Sequence, residues 1–353
     1  MKRYTAISIL LLAAIALLSS MSCSSKVKKK GYVILDDGKY DSEFPSRSAT
    51  DHLKNLSEMV KRISSIAFYE GYVFLPEGKV TLAEVKNGSY EQKINDRIAF
   101  SNSSAGTATT IFLRGKKIAV LTCAHVVFYP DTVVTYFKDD VSDSVEYVES
   151  FSIKKRQKNF LVDLAQGADF KILAMDRDAD LAILGKDLLY PPASKVPVFN
   201  YKIGSAKELN WGDFVYLIGW PKGYKMVTRA IVSSPNRDRK HSFLIDALFN
   251  RGFSGGIVVA IRDGIPNFEL VGIVSSVSAS FEHTIVPDKN IDVSKFDPKL
   301  PYTGDLFVKF DRKIDYGITY GISVETIFDF IKEHEAGLKA NGFFVSEFFS
   351  EKL

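Results

Sequence analysis

Apolar residues along the chain fall first into one unbroken run and then into many short ones. "ISILLLAAIALL", twelve residues with one serine, follows the charged start "MKR" and precedes the small residues "SSMSC" ending at Cys23. A bilayer span needs about 20 apolar residues, so this run suits the centre of a secretory signal instead. Residues 1–22 are expected to be a signal peptide, and the lysine-rich stretch 23–47 a polar tether. Within 48–94, Leu53, Leu56, Met59, Val60, Ile63 and Ile66 recur at steps of three and one, which predicts a helix packed on the domain that follows. From about residue 95 the texture changes to short β-rich runs between turn residues, among them "TATTIFL", "KIAVLTC", "DFVYLIG", "MVTRAIVSS" and "FELVGIVSS". Such spacing predicts an all-β barrel or sandwich over 95–340. Near its end, "SVETIFDFIKEHEAGLKANG" predicts a closing helix with Val324, Ile327, Phe328 and Ile331 on one face. Ser323 is its N-cap and Asn341-Gly342 its stop. An aromatic tail, 341–353, completes the chain.

Composition narrows the picture. With 353 residues, 46% hydrophobic and 25% charged, the chain can bury a full core. Removing Lys2 and Arg3 from the 46 basic residues leaves 44 against 42 acidic ones. No basic helix or aromatic-basic repeat accompanies that small excess, so nucleic acid is not an expected partner. There are two cysteines, Cys23 and Cys123. Ser20 and Ser22 fit a signal-peptidase site, while Cys23 resembles the lipid-bearing cysteine of bacterial lipoproteins, with Ser20 standing where their motif has leucine. Either route exports the chain. The lipid route would anchor it to a membrane of the cell envelope, facing the periplasm or the cell surface. It would also leave Cys123 with no intrachain disulfide partner, so stability must come from core packing. Cys123 is expected to be a buried small hydrophobe.

The candidate chemistry centres on "NRGFSGG", Asn250 to Gly256. G-x-S-x-G also describes the nucleophile elbow of α/β-hydrolases, but that elbow needs a helix after the serine and its acid and histidine downstream. Here "GGIVVAIRDGIPNFELVGIVSS" is β-branched, broken at Asp263-Gly264, and reads as a hairpin. Upstream, the opposite order finds partners. His125 in "KIAVLTCAHVV" stands just past an apolar strand, and Asp180 in "DRDADLAILG" heads another. A carboxylate heading an apolar run needs a hydrogen-bonding partner, and His125 can supply one. Asp176 and Asp178 precede the apolar run and are expected to be solvated.

"LTCAHVV", "DADLAIL", "GDFVYLIGWPKG", "DALFNRGFSGG", "LVGIVS" and "YGITYGISVETI" together resemble the trypsin-like serine protease domain, and most closely its HtrA-type bacterial branch. The resemblance covers roughly residues 95 to 335. It implies two six-stranded antiparallel β-barrels with the active site between them, acting on a protein or peptide without cofactor or metal. His125 would be general base, Asp180 its orienter and Ser254 the nucleophile. The N–H groups of Gly252 and Ser254 would form the oxyanion hole. Leu248, six residues before the serine, would floor a pocket for a small or medium apolar side chain, and Arg251 would rim the cleft. The PDZ domain usual in HtrA proteins is not expected.

Two features depart from the family pattern. Phe253 replaces the usual asparagine or aspartate beside the serine and cannot make its hydrogen bond. It implies substitution by ring packing, a loop that opens only on substrate binding, or lost activity. The charged run "FSIKKRQKNFLVDLAQG" is expected as an enlarged hairpin, and about Ala279 to Lys313 as an insert before the last strand. A silent, partner-binding lipoprotein is therefore the rival to an active enzyme. The sequence leaves oligomeric state open.

Overall fold

The apolar stripe near the start of the domain is helical only over α1 (Thr50–Met59); from Val60 the chain is a strand, β1 (Val60–Phe74). Ile63, Ser65, Ala67 and Tyr69 alternate inward. One of those positions is polar, and Lys61 is buried as well, which hides the two-residue period in the sequence. The β-branched Val60, Ile63 and Ile66 favour extended backbone once neighbouring strands are available. Those neighbours are β2 (Ile94–Arg114) and β5 (Val148–Leu161), both antiparallel to β1. Ser65 is reconciled with burial by donating to Asn159 Oδ1 at 2.5 Å, while Asn159 Nδ2 donates to Phe170 O. The computed structural model describes residues 36–43, 45, 47–137, 147–248, 250–287, 299–300, 303–304 and 306–350. The expected signal peptide, Cys23 and most of the tether lie outside these residues, as does part of the second expected insert.

Between β1 and β2 lies α2 (Leu82–Asn87). Then follow β3 (Lys117–Thr122), α3 (Ala124–Val127), β4 (Thr132–Tyr136), β5, β6 (Lys171–Asp176) and β7 (Leu181–Asp187). They build a sheet ordered β4-β5-β1-β2-β3-β7-β6. The second sheet contains β8 (Lys202–Ile203), β9 (Phe214–Gly219), β10 (Met226–Ser234), β11 (Phe243–Ile245), β12 (Ile257–Ile261), β13 (Phe268–Pro287) and β14 (Leu306–Ser323). Its order is β12-β9-β10-β11-β14-β13-β8, and a further β12–β13 pairing closes six strands into a barrel. The mostly β, double-barrel architecture is thus the expected one, with one correction. The first sheet has seven strands, and among the described residues β4 and β6 at its ends do not pair with each other.

The charged run 151–167 does build an enlarged hairpin, since β5 pairs with β4. Of the second expected insert, Ala279–Pro287 and Leu306–Lys313 continue the paired strands β13 and β14. Thr284, Ile285 and Val286 are β-branched, and Leu306–Lys313 has no Gly or Pro, so the ladder continues through both stretches.

The closing helix, α4 (Val324–Ala340), starts where the side chain of Ser323 accepts from Thr326 N. Its buried face holds Val324, Ile327, Phe330 and Ile331; Phe328 is exposed and instead meets Phe349 edge-on, with ring centroids 5.1 Å apart. Helical phase places position 330 inward beside 327 and 331. The tail is part of the core: after α4, Phe343, Val345 and the aromatics of α5 (Glu347–Ser350) are buried against the first sheet. Phe343 meets Phe112, and Phe348 meets Phe199. A Cβ at Gly185 would come within 2.9 Å of the Phe343 ring, so this strand position must be bare for the tail to dock. Phe343→Ala is expected to lower unfolding free energy by about 3 to 5 kcal/mol, the range for losing a core phenylalanine. Denaturant unfolding checks this; an unchanged midpoint would mean the tail contributes nothing.

Candidate active site

His125 and Asp180, 55 positions apart in sequence, meet because β3 and β7 are neighbours in the first sheet. β3 runs into α3, whose second residue is His125, and Ala124 N donates to Asp180 O at 3.1 Å. Asp180 closes the turn before β7, in which Asp178 N and Ala179 N both donate to Asp176 Oδ1. Asp176 is thus a turn residue and Asp178 is exposed. Asp180 has φ +55, a left-handed conformation that aspartate tolerates better than most residues. That turn aims its carboxylate at the imidazole.

The carboxylate receives four hydrogen-bonding contacts. His125 Nδ1 lies 2.9 Å from both Oδ1 and Oδ2, His125 N donates to Oδ1 at 3.0 Å, and Ser275 Oγ donates to Oδ2 at 2.7 Å. An ionised carboxylate only accepts, so Nδ1 must carry the proton. Nε2 is then the free base of the neutral ring. Burial pushes the Asp180 carboxyl up, but the hydrogen bonds and charge of His125, with help from Ser275, outweigh it and hold the group below its ordinary value. Its contribution to stability is therefore present above the ordinary carboxylate range and lost only as pH falls through the lowered value.

Ser254 lies in the bend that enters β12 and faces the same cleft as His125, a space of about 960 Å³ between the two sheets. Gly252 has φ +98, and a Cβ there would stand 2.6 Å from Trp220 O. Gly255, at φ +85, would bring a Cβ within 2.1 Å of Thr107 O. Both positions therefore need glycine. Among the described residues, neither Gly252 N nor Ser254 N has a hydrogen-bond acceptor. Two adjacent donors open to a cleft are what a developing oxyanion requires. No hydrogen bond joins Ser254 to His125 among the described residues.

Sequence reasoning missed the residue that holds this bend. Thr107 on β2 donates from N to Ser254 O (2.8 Å) and from Oγ1 to Gly252 O (2.7 Å), and Oγ1 also accepts from Trp220 N (2.9 Å). Its own carbonyl accepts from Thr122 Oγ1. Its only signal in the sequence is a polar residue opening the run "TATTIFL". Ser275 was also missed, in "LVGIVSS". Phe253 is 1% exposed and belongs to the core of the second barrel, where its ring sits beside Gly219 and Gly256.

Other expected residues divide. Arg251 lines the cleft, but Leu248 does not: its side chain is 67% exposed. Counting six residues back from the serine ignores the path of the intervening loop. Cys123 is fully buried, as its apolar setting suggests, and its thiol donates to Val274 O. Its sulfur and one donor atom each of His125 and Asp180 lie within 4.8 Å of one another. Burial, then the charge of Asp180, pushes that thiol well up, and His125 and Asp180 are already engaged with each other.

Residues 106–273 match the trypsin-like peptidase domain family, a stretch that contains His125, Asp180 and Ser254. With this fold, the match supports a serine protease, and residues 106–273 are its trypsin-like peptidase domain. Among curated proteins, no sequence matches it. Two similar solved structures are "Crystal structure of Deg5" and "Structure of GrC". Deg5 is 18% identical, with 65% of this chain and 87% of that one covered and a TM-score of 0.33. GrC is 13% identical, with 77% and 93% covered and a TM-score of 0.31. Likeness that low adds nothing to the family match.

Thr107→Val should leave Gly252 O and Trp220 N without partners, costing about 1 to 3 kcal/mol of stability for each group that stays buried. It should lower kcat more than it raises KM, and Thr107→Ser should restore both. Chemical denaturation alongside peptide hydrolysis measures the two effects; a valine variant with unaltered kcat would remove Thr107 from the positioning role.

Proposed function

We propose that the chain is an exported serine endopeptidase that cleaves unfolded or exposed protein segments through His125, Asp180 and Ser254. The observation that carries this reading is the Asp180–His125 pair, which fixes the imidazole with Nδ1 toward the carboxylate beside a cleft that also holds Ser254. In the proposed reaction, Ser254 Oγ attacks the peptide carbonyl while His125 Nε2 takes its proton. The tetrahedral oxyanion receives the N–H groups of Gly252 and Ser254. As the C–N bond breaks, His125 returns the proton to the leaving amine, leaving an acyl-enzyme. Water, deprotonated by the same imidazole, then releases the acid. Asp180 stays ionised and stabilises the imidazolium.

Placement in the HtrA-type branch rests on "DALFNRGFSGG" and its companion motifs. Export rests on the first 22 residues, and attachment to an envelope membrane on Cys23. The apolar preference expected before the scissile bond loses its support, since Leu248 does not line the cleft. The buried ring of Phe253 supports packing as the substitute for the family's usual hydrogen bond. A second reading, a silent lipoprotein that binds a partner through its hairpins, is favoured by the missing Ser254–His125 hydrogen bond. Such bonds are often long before substrate binds, so their absence alone does not decide against catalysis.

Fluorophosphonate labelling separates the two. Labelling of the full chain that is abolished by Ser254→Ala supports the enzyme; equal labelling of both proteins, or none of either, supports the silent reading. Asp180→Asn should retain the fold and cut turnover by about four orders of magnitude through the wrong tautomer. Unchanged turnover in a steady-state assay would remove Asp180 from the mechanism.

A further inference from the structure

The cleft beside Ser254 is lined by three cationic side chains and by no carboxylate. Arg62 comes from β1, Lys222 from the loop after β9, and Arg251 from the bend before Ser254. None of the three forms an ion pair or a side-chain hydrogen bond among the described residues. The nearby acid Glu58 is already occupied, 3.1 Å from Lys225 Nζ. Asp180, behind the imidazole, is engaged by His125 and Ser275.

Lys222 and Arg251 are exposed, but Arg62 is not an ordinary rim charge. Arg62 is only partly exposed, and its Nε is buried without a hydrogen-bond partner. Its guanidinium lies over Gly223, where a Cβ would come within 3.1 Å of Nη1. Packing therefore presents the planar fork at a fixed place, a shape that matches a carboxylate. Lys222 and Arg251 are tied together, Lys222 N donating to Arg251 O at 2.7 Å. Arg251 in turn precedes Gly252, one of the two open N–H donors. The cationic wall is thus next to the place where the scissile carbonyl would bind. Unpaired charges of one sign in a concave, partly desolvated site focus their field into it.

We propose that this wall selects peptides carrying a carboxylate close to the scissile bond, with Arg62 as the principal reader and Lys222 and Arg251 beside it. The inference rests on Ser254 and His125 acting as described above. A carboxylate can come from a Glu or Asp side chain or from a peptide's C-terminus, and both present the same two oxygens.

The test uses the full chain and internally quenched decapeptides that differ by Glu or Gln at one position at a time, all C-terminally amidated. A neutral peptide with a free C-terminal carboxylate is compared with its amide. At low salt, one Glu position is expected to raise kcat/KM about ten- to hundredfold over Gln, the range for hydrogen bonds to charged groups. That ratio should shrink in about 0.5 M NaCl, where exposed charges are screened, and fall toward one in Arg62→Gln. A preference confined to the free C-terminus would support the same wall reading a terminal carboxylate. Equal hydrolysis of every pair would overturn the inference while leaving the protease reading intact. If no peptide is cut, fluorescence anisotropy with Ser254→Ala and the same peptides decides the question separately. Tighter binding of the Glu or free-acid member upholds the cationic wall without catalysis, and equal binding rejects it.

Discussion

The bend that carries Ser254 belongs to the second barrel, yet it is held by a residue of the first sheet. Thr107 contacts both backbone carbonyls that flank Phe253, those of Gly252 and Ser254, and takes the Trp220 N–H of the neighbouring loop as well. Each contact pins one carbonyl of the bend, and the carbonyls that share a peptide plane with the two open donors are held as well, Arg251 O by Lys222 N and Phe253 O by Gly256 N. A bend with two left-handed glycines has wide conformational freedom in isolation. The hydrogen bonds across the sheet boundary remove it, which is why the two halves must pack before the donors can face a common point. Gly255 completes the fit, since only a bare backbone passes so close to Thr107 O.

Phe253 supports the same bend from below. In the family pattern a polar residue beside the nucleophile sets this loop with a hydrogen bond. Here a buried ring takes that position in the core of the second barrel, and apolar packing is non-directional. Direction is then supplied from above by Thr107 and from the side by the exchange between Gly255, Gly256 and Val274, whose two hydrogen bonds are each 2.7 Å long. Orientation and depth of the loop thus come from different kinds of interaction.

Electrostatically, the cleft is divided. The one carboxylate at its back is spent on orienting an imidazole, while the wall toward the Gly252 bend is cationic and unpaired. Asp180 is committed to His125 and Ser275 and forms no ion pair with the arginines among the described residues. The trailing aromatics of the chain lie against Phe112 of the first sheet and Phe199 of the stretch between β7 and β8, and the Phe343 ring sits beside Gly185 of β7, a strand that positions Asp180.

Much of this was legible in the one-dimensional pattern. β10 is the run "MVTRAIVSS" residue for residue, and the hairpin after Gly256 follows from its β-branched runs and its Asp-Gly turn. The cap of α4 was legible too. The pairing of His125 with Asp180 could be proposed because each sits at the end of an apolar strand, a local and rigid setting. β1 was read as helix because Lys61 and Ser65 occupy inward positions that only a tertiary partner such as Asn159 makes tolerable. Leu248 was misplaced and Thr107 overlooked for one physical reason: a residue count along a loop carries no information about which surface the loop crosses. Sequence by itself determined the residue types that can do the chemistry and the strands that carry two of them. Tertiary structure decided which backbone groups are free, which loop is held and which charges share the cleft, because those properties arise only where distant segments exclude water from one another.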